Sequence, residues 1–263
     1  MAQPYSARSR AIEPFHVMAL LARANELQAD GHDVIHLEIG EPDFTTAAPI
    51  VAAGQAALAN GHTRYTAARG LPQLREAISG FYAQRYGVNI DPQRILITPG
   101  GSGALLLASS LLVDPGKHWL LADPGYPCNR HFLRLVEGAA QLVPVGPEVR
   151  YQLNADLVER YWDQDSVGAL VASPANPTGT LLSRDELAGL SRALRERGGH
   201  LVVDEIYHGL TYGVDAASVL EVDDDAFVLN SFSKYFGMTG WRLGWLVAPH
   251  AAVPELAKLA QHP

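Results

Sequence analysis

Apolar residues in this chain fall into short runs at 94–98, 119–122, 141–145, 167–172, 200–204, 226–230 and 243–247. Their length and richness in Val, Ile and Leu predict buried strands. Between them, 103–113, 126–137 and 184–197 place apolar side chains at helical spacing. This alternation of strand and helix patterns predicts an α/β fold: a mostly parallel, seven-stranded sheet in a three-layer α/β/α arrangement. Near the start, Val17, Leu20, Leu21, Ala24 and Leu27 recur on one helical face, with Pro14 close to the first turn and Gly31 beyond the end. An amphipathic helix is the expectation there, because Arg23 breaks the apolar run too early for a signal sequence or membrane span.

Composition narrows the partners. A length of 263 residues with 48% apolar and 18% charged residues describes a globular chain with a large core. The net charge of -8 comes without a basic run, which argues against nucleic acid and anionic membrane surfaces. Cys128 is the single cysteine, so no internal disulfide is available, and a reducing, cytoplasmic setting is expected. The acidic stretch 222–225 reads as a solvated loop.

In parallel sheets ligands bind beyond the carboxyl ends of the strands, so the residues following each run carry the chemical information. Gly100, Gly101, Ser102, Gly103 and Ala104 open a helix whose free N–H groups and positive dipole end suit a phosphate. A dinucleotide site is the rival reading, with Gly101, Gly103 and Asp123; against it, Leu106 stands at the third glycine position and Lys234 is left without a role. Tyr126 is held between Pro124, Gly125 and Pro127, which suits an aromatic stacked on a flat ring. Two prolines and Gly179 fix the loop around Asn176. Asp204 ends a strand too apolar to be exposed, and a buried carboxylate needs a cation or donor. Finally Lys234, one of three lysines, sits directly behind Ser231 and Ser233, with Arg242 eight residues on. Hydroxyls and a guanidinium suit phosphate oxygens, and a partly desolvated lysine becomes a nucleophile toward carbonyls.

Taken in order, these motifs, together with residues 37–44, the 63–66 segment, Gly70 and residues 74–76, resemble the fold type I, class I/II aminotransferases that depend on pyridoxal 5'-phosphate, the aspartate aminotransferase-like group. The resemblance runs from about Ser9 to the last residue. It implies an enzyme that moves an amino group between an amino acid and a 2-oxo acid, with the cofactor carried by Lys234 as a Schiff base and Lys234 later shuttling the α-proton. Asp204 is implied as the partner of the pyridine nitrogen, Tyr207 and Asn176 as partners of the ring oxygen, and Tyr126 as the ring's aromatic neighbour. Ser231, Ser233, Arg242 and the N–H groups of Ser102, Gly103 and Ala104 are implied to hold the phosphate, with Tyr65 contributed from a neighbouring subunit. Gly40 and Asn176 are implied to face the substrate, and a cytoplasmic homodimer with shared active sites is the implied assembly. No metal is implied. The chemistry is coherent: a carboxylate about 4 Å from the ring nitrogen favours its proton by roughly 4 kcal/mol at an effective dielectric near 20, and the protonated ring is the better electron sink.

The family normally continues past the Arg242 block into a smaller C-terminal domain, which usually carries the arginine that grips the substrate carboxylate. The expectation is therefore a large cofactor-binding domain at residues 46–263, preceded by residues 1–45 that pack on the small domain, with that small domain missing from the chain. Lys117 stands where relatives often carry an acid and reads as surface variation. A pyridoxal-phosphate β-lyase shares all of these motifs, and a catalytically idle, regulatory domain is a further alternative. Transcription regulators with such a domain begin with a basic DNA-binding segment that residues 1–45 do not provide.

Overall fold

The structure, a computed structural model, describes residues 5–262. In chain order its elements are helices α1 (Ala7–Ala11), α2 (His16–Ala29), α3 (Ala48–Ala59) and α4 (Pro72–Tyr86), strand β1 (Ile95–Thr98), α5 (Gly100–Leu112), β2 (His118–Asp123), α6 (Asn129–Leu135), β3 (Ala139–Pro144) and α7 (Ala155–Tyr161), followed by β4 (Ser166–Ala172), α8 (Arg184–Arg195), β5 (His200–Asp204), β6 (Phe227–Ser231), β7 (Gly244–Val247) and α9 (Val253–Leu259). The seven strands form one sheet in the order β1-β7-β6-β5-β4-β2-β3. Strands β2 to β6 pair in parallel, and β7 runs antiparallel to both β6 and β1.

Period-2 alternation along the strands divides the core between two faces. On one face Ile95, Leu120, Leu201, Val203, Val228 and Trp245 pack with Ile78 and Tyr82 of α4, Leu157 of α7 and Leu187, Leu190 and Leu194 of α8. On the other, Leu96, Trp119, Val202, Leu229 and Leu246 pack with Ala104 and Ala108 of α5, Leu133 of α6 and Leu256 of α9. Helix α8 shows how the sequence specifies such an element. Ser183 caps it by accepting from the Glu186 N–H while the Glu186 carboxylate accepts from the Ser183 N–H, and Leu187, Leu190 and Leu194 form the buried stripe.

Every strand lies within two residues of its hydrophobic run. The helices depart further. The helix expected over 126–137 shrinks to α6, because Pro124, Gly125 and Pro127 deny the first turns their hydrogen bonds. Helix α5 begins at Gly100, earlier than the 103–113 pattern predicts. Helix α2 forms where its spacing predicts, yet none of its residues is buried, and the same holds for α1 and α3. Ile35, Leu37, Phe44 and Tyr65 are likewise exposed. Among the described residues no helix is long and apolar enough to cross a membrane.

Candidate active site

The site is assembled where β1, β6 and β7 deliver their loops to the start of α5. Gly100 has φ +73°, a backbone that glycine adopts without strain, and a Cβ there would lie 2.5 Å from Arg242 Nη2. At Gly244 a Cβ would meet the Gly100 carbon at 2.6 Å and the Gly101 nitrogen at 2.8 Å. Backbone and guanidinium therefore approach more closely than any side chain would permit. Ser231 Oγ donates to Ser233 Oγ at 2.8 Å and accepts from the Ser233 N–H at 3.0 Å. Arg242 Nη1 donates to the Thr239 carbonyl at 2.9 Å and reaches Ser233 Oγ at 3.4 Å. Among the described residues no carboxylate pairs with Arg242. Two hydroxyls, an acid-free guanidinium and the positive end of a thirteen-residue helix form a cradle suited to a phosphate. Because α5 starts at Gly100, its open first-turn donors include Gly100, Gly101 and Ser102, while Gly103 and Ala104 follow toward the second turn.

The second cluster comes from the ends of β4 and β5. Asn176 Nδ2 donates to Tyr207 Oη at 3.3 Å. Burial raises the Tyr207 hydroxyl above its ordinary range, and the neighbouring Asp204 adds to that rise. Tyr126 is raised by burial first, then by Cys128, Tyr207 and Asp204, so these side chains share one electrostatic neighbourhood. Asp204 itself is lifted to about 6 by loss of water, opposed only by a 3.0 Å hydrogen bond from the Ile206 N–H. A carboxyl this poorly solvated is one that a bound cation would ionise. Beside it, a cleft of about 220 Å³ is lined by Asp123, Tyr126, Arg130, Gln152 and Asn176.

Lys234 completes the set. Its amine donates to the Gly40 carbonyl at 2.5 Å, and burial, helped by Arg242 and opposed by Glu41, lowers its pKa from the ordinary lysine value. Lys117 and Lys258 are instead paired with Asp165 and Glu255. Tyr65 projects into solvent, fully exposed and apart from the other candidates. Three neighbours of the site escaped the sequence reading: Phe15 packs edge-on against Tyr126 with ring centres 6.0 Å apart, Thr239 accepts Arg242, and Glu41 faces Lys234. Glu41 and Thr239 lie inside segments already singled out, 37–44 and the stretch from Ser231 to Arg242, but their residue types do not mark them as contacts; Phe15 lies outside every motif.

The family described as Aminotransferase class I and II matches residues 32–263. The chain belongs to that family. It is 39% identical over 240 residues to the valine–pyruvate aminotransferase of Mycobacterium tuberculosis, covering 90% of this chain and 62% of that protein. It is 36% identical to the (5-formylfuran-3-yl)methyl phosphate transaminase of Methanocaldococcus jannaschii, covering 95% of this chain and 65% of that protein. A solved aminotransferase structure from Mycobacterium tuberculosis superposes with a TM-score of 0.94 at 37% identity, over 98% of this chain and 67% of that one. The chain thus spans under two thirds of the length of those two curated relatives. The family depends on pyridoxal 5'-phosphate, and the donor set fits that cofactor: an acid-free guanidinium and paired serines for its phosphate, a poorly solvated carboxyl for its ring nitrogen, a hydroxyl and an amide for its ring oxygen, and an amine of lowered pKa for its aldehyde.

Proposed function

We propose that this chain is the large domain of an aminotransferase that moves an amino group between an amino acid and a 2-oxo acid. When bound, pyridoxal phosphate supplies an electron sink for the pair left at the substrate α-carbon. Ser231, Ser233, Arg242 and the open first-turn N–H groups of α5 at Gly100, Gly101 and Ser102 hold its phosphate, whereas the N–H groups of Gly103 and Ala104 fall within the helix's own ladder. Asp204 holds a proton on its ring nitrogen, Tyr207 and Asn176 donate to its ring oxygen, and Tyr126 covers the ring. Lys234 anchors it, then takes the proton from the amino acid α-carbon and returns it on the acceptor side, work worth roughly 10²–10⁴ in rate.

The observation that carries this reading is the setting of Lys234: among the described residues it alone of the three lysines makes no salt bridge, Glu41 acting on it only at longer range, and it lies in the same loop as the phosphate cradle. The two relatives act on chemically different partners by name. Gly40, whose carbonyl already receives the Lys234 amine, lines the substrate side with Asn176. Exposed Tyr65 and the uncovered apolar faces of α2 and α3 support a homodimer with shared sites, placed in the cytoplasm on the strength of the single cysteine alone, in which residues 1–45 pack on a smaller domain and 46–263 form the cofactor-binding unit. The deciding experiment is borohydride reduction of the protein incubated with pyridoxal phosphate, followed by peptide mapping. The label is expected on Lys234; a label on Lys117 or Lys258 would overturn the assignment.

A further inference from the structure

Immediately after Asp204 the chain turns a second carboxyl the opposite way. Strand alternation sends Asp204 toward the face shared with Val202, and Glu205 toward that of Leu201 and Val203. Glu205 is fully buried. Its Oε1 accepts from Ser218 Oγ and from the Val219 N–H, both at 2.9 Å, and its Oε2 accepts from Ser218 Oγ at 3.1 Å. His208 Nδ1 stands 3.7 Å from Oε2 and 2.8 Å from Tyr86 Oη at the end of α4. The imidazole is almost entirely enclosed, its Nε2 has no hydrogen-bond partner, and the Ser173 backbone lies beside the ring.

These contacts join the elements that present the cofactor's partners. Glu205 and His208 bracket Ile206 and Tyr207, and the His208 N–H donates to the Glu205 carbonyl at 3.0 Å. Ser173, whose N–H donates to the Asp204 carbonyl at 3.1 Å, opens the loop that carries Asn176. The turn bearing Asp204 and Tyr207 is therefore fixed from beneath by polar groups that never face the cleft. Buried polar groups are costly unless paired, so the bonds that Ser218 and Val219 make to Glu205 and that Tyr86 makes to His208, this deep in an apolar core, favour one geometry even with His208 Nε2 left without a partner.

Building on the cofactor reading above, we propose that Glu205, His208 and Tyr86 form a buried anchor that positions Asp204 and Tyr207 against the cofactor ring. They are positioning residues: they touch neither cofactor nor substrate and act through the turn.

The test is titration of pyridoxal phosphate into the full chain and into Tyr86→Phe, His208→Phe, His208→Gln and Glu205→Gln. Cofactor affinity, the pH midpoint of the bound cofactor's absorbance and the melting temperature are read for each. Tyr86→Phe and His208→Phe are expected to weaken cofactor binding about tenfold, the scale of a lost buried hydrogen bond, and to move the absorbance midpoint. His208→Gln, which restores a polar partner for Tyr86, is expected to recover most of both. Unchanged affinity and midpoint in folded Tyr86→Phe would overturn the proposal, whatever the melting temperature does. That variant removes a single oxygen and decides the matter even where His208→Phe does not fold. A parent chain that binds no pyridoxal phosphate would overturn the cofactor reading itself and this inference with it.

Discussion

The Lys234 amine rests on the carbonyl of Gly40, 2.5 Å away and 194 positions distant in sequence. A carbonyl accepts a hydrogen bond without favouring the charged ammonium as strongly as a carboxylate would, so Lys234 is held in place while burial lowers its pKa. Its attack on an aldehyde needs the neutral amine. The rate of cofactor capture should therefore climb with pH and level off below the pH at which an ordinary lysine would, as followed by stopped-flow absorbance.

Replacing that amine separates binding from chemistry. Lys234→Ala should lose turnover by at least about 10²–10⁴-fold and still retain cofactor through the Ser231, Ser233 and Arg242 cradle. Equilibrium dialysis with pyridoxal phosphate beside a transamination assay checks both halves; residual turnover within a few fold of the parent would displace Lys234 from its role.

Asp204→Asn keeps shape and a hydrogen-bonding amide while removing the charge that holds a ring proton. Cofactor should still bind, and turnover should fall far more than affinity. In the cofactor-free protein the same change should stabilise. Burial raises Asp204 from 3.8 to about 6, so its contribution is fully present below pH 4 and lost as pH rises through 6, and the amide escapes that loss. The gain near neutral pH, at most about 3 kcal/mol, is measurable by urea unfolding.

Glu205 behaves the same way over a higher window. Burial, with Asp204 adding repulsion, lifts it from 4.5 to about 8 against the Ser218 and Val219 hydrogen bonds. Its neutral form favours the fold below pH 4.5, and that stability drains away as pH passes 8. Glu205→Gln should therefore narrow the difference in melting temperature between pH 5 and pH 9 in the cofactor-free chain. An unchanged difference would show that Glu205 stays ionised in the folded protein.

Gly100→Ala places a methyl against Arg242 Nη2 and forces a side chain into a left-handed backbone at φ +73°. The backbone cost is about 1–2 kcal/mol, and the displaced guanidinium should weaken cofactor affinity more than it weakens the fold. Inorganic phosphate, competing for the same cradle, should lose affinity in parallel; calorimetric titration of both ligands compares the two losses.

The sheet was legible in the sequence because its strands are short apolar runs whose period and burial coincide, as at Val202 and Val203. The site candidates were legible because loops at strand ends concentrate Gly, Pro and rare polar residues, as around Tyr126, Asn176 and Lys234. What stayed hidden depends on contacts between distant segments. Helix α2 has the spacing of a covered helix, and periodicity cannot say what covers it. Glu205, His208 and Tyr86 become one group only when the end of α4 meets the turn after β5, and none of them stands out by local pattern. Glu41 meets Lys234 only through the fold, while Thr239 stayed hidden for a different reason, since it receives Arg242 three residues away through its backbone carbonyl, which no residue type signals.

The placement of β7 between β1 and β6 governs when the phosphate cradle comes into being. Gly100 and Gly101 follow the first strand of the sheet in sequence, while Ser231 ends β6 and Arg242 and Gly244 lead into β7, and the two groups meet only once β7 has slotted between its neighbours. A growing polypeptide that has emerged only as far as Ser233, two residues beyond β6, has both serines but no Arg242 closing on α5. Capture of the vitamin-derived ligand therefore reports that the final strand is seated, and a ribosome-stalled series of increasing length should acquire it abruptly rather than by degrees.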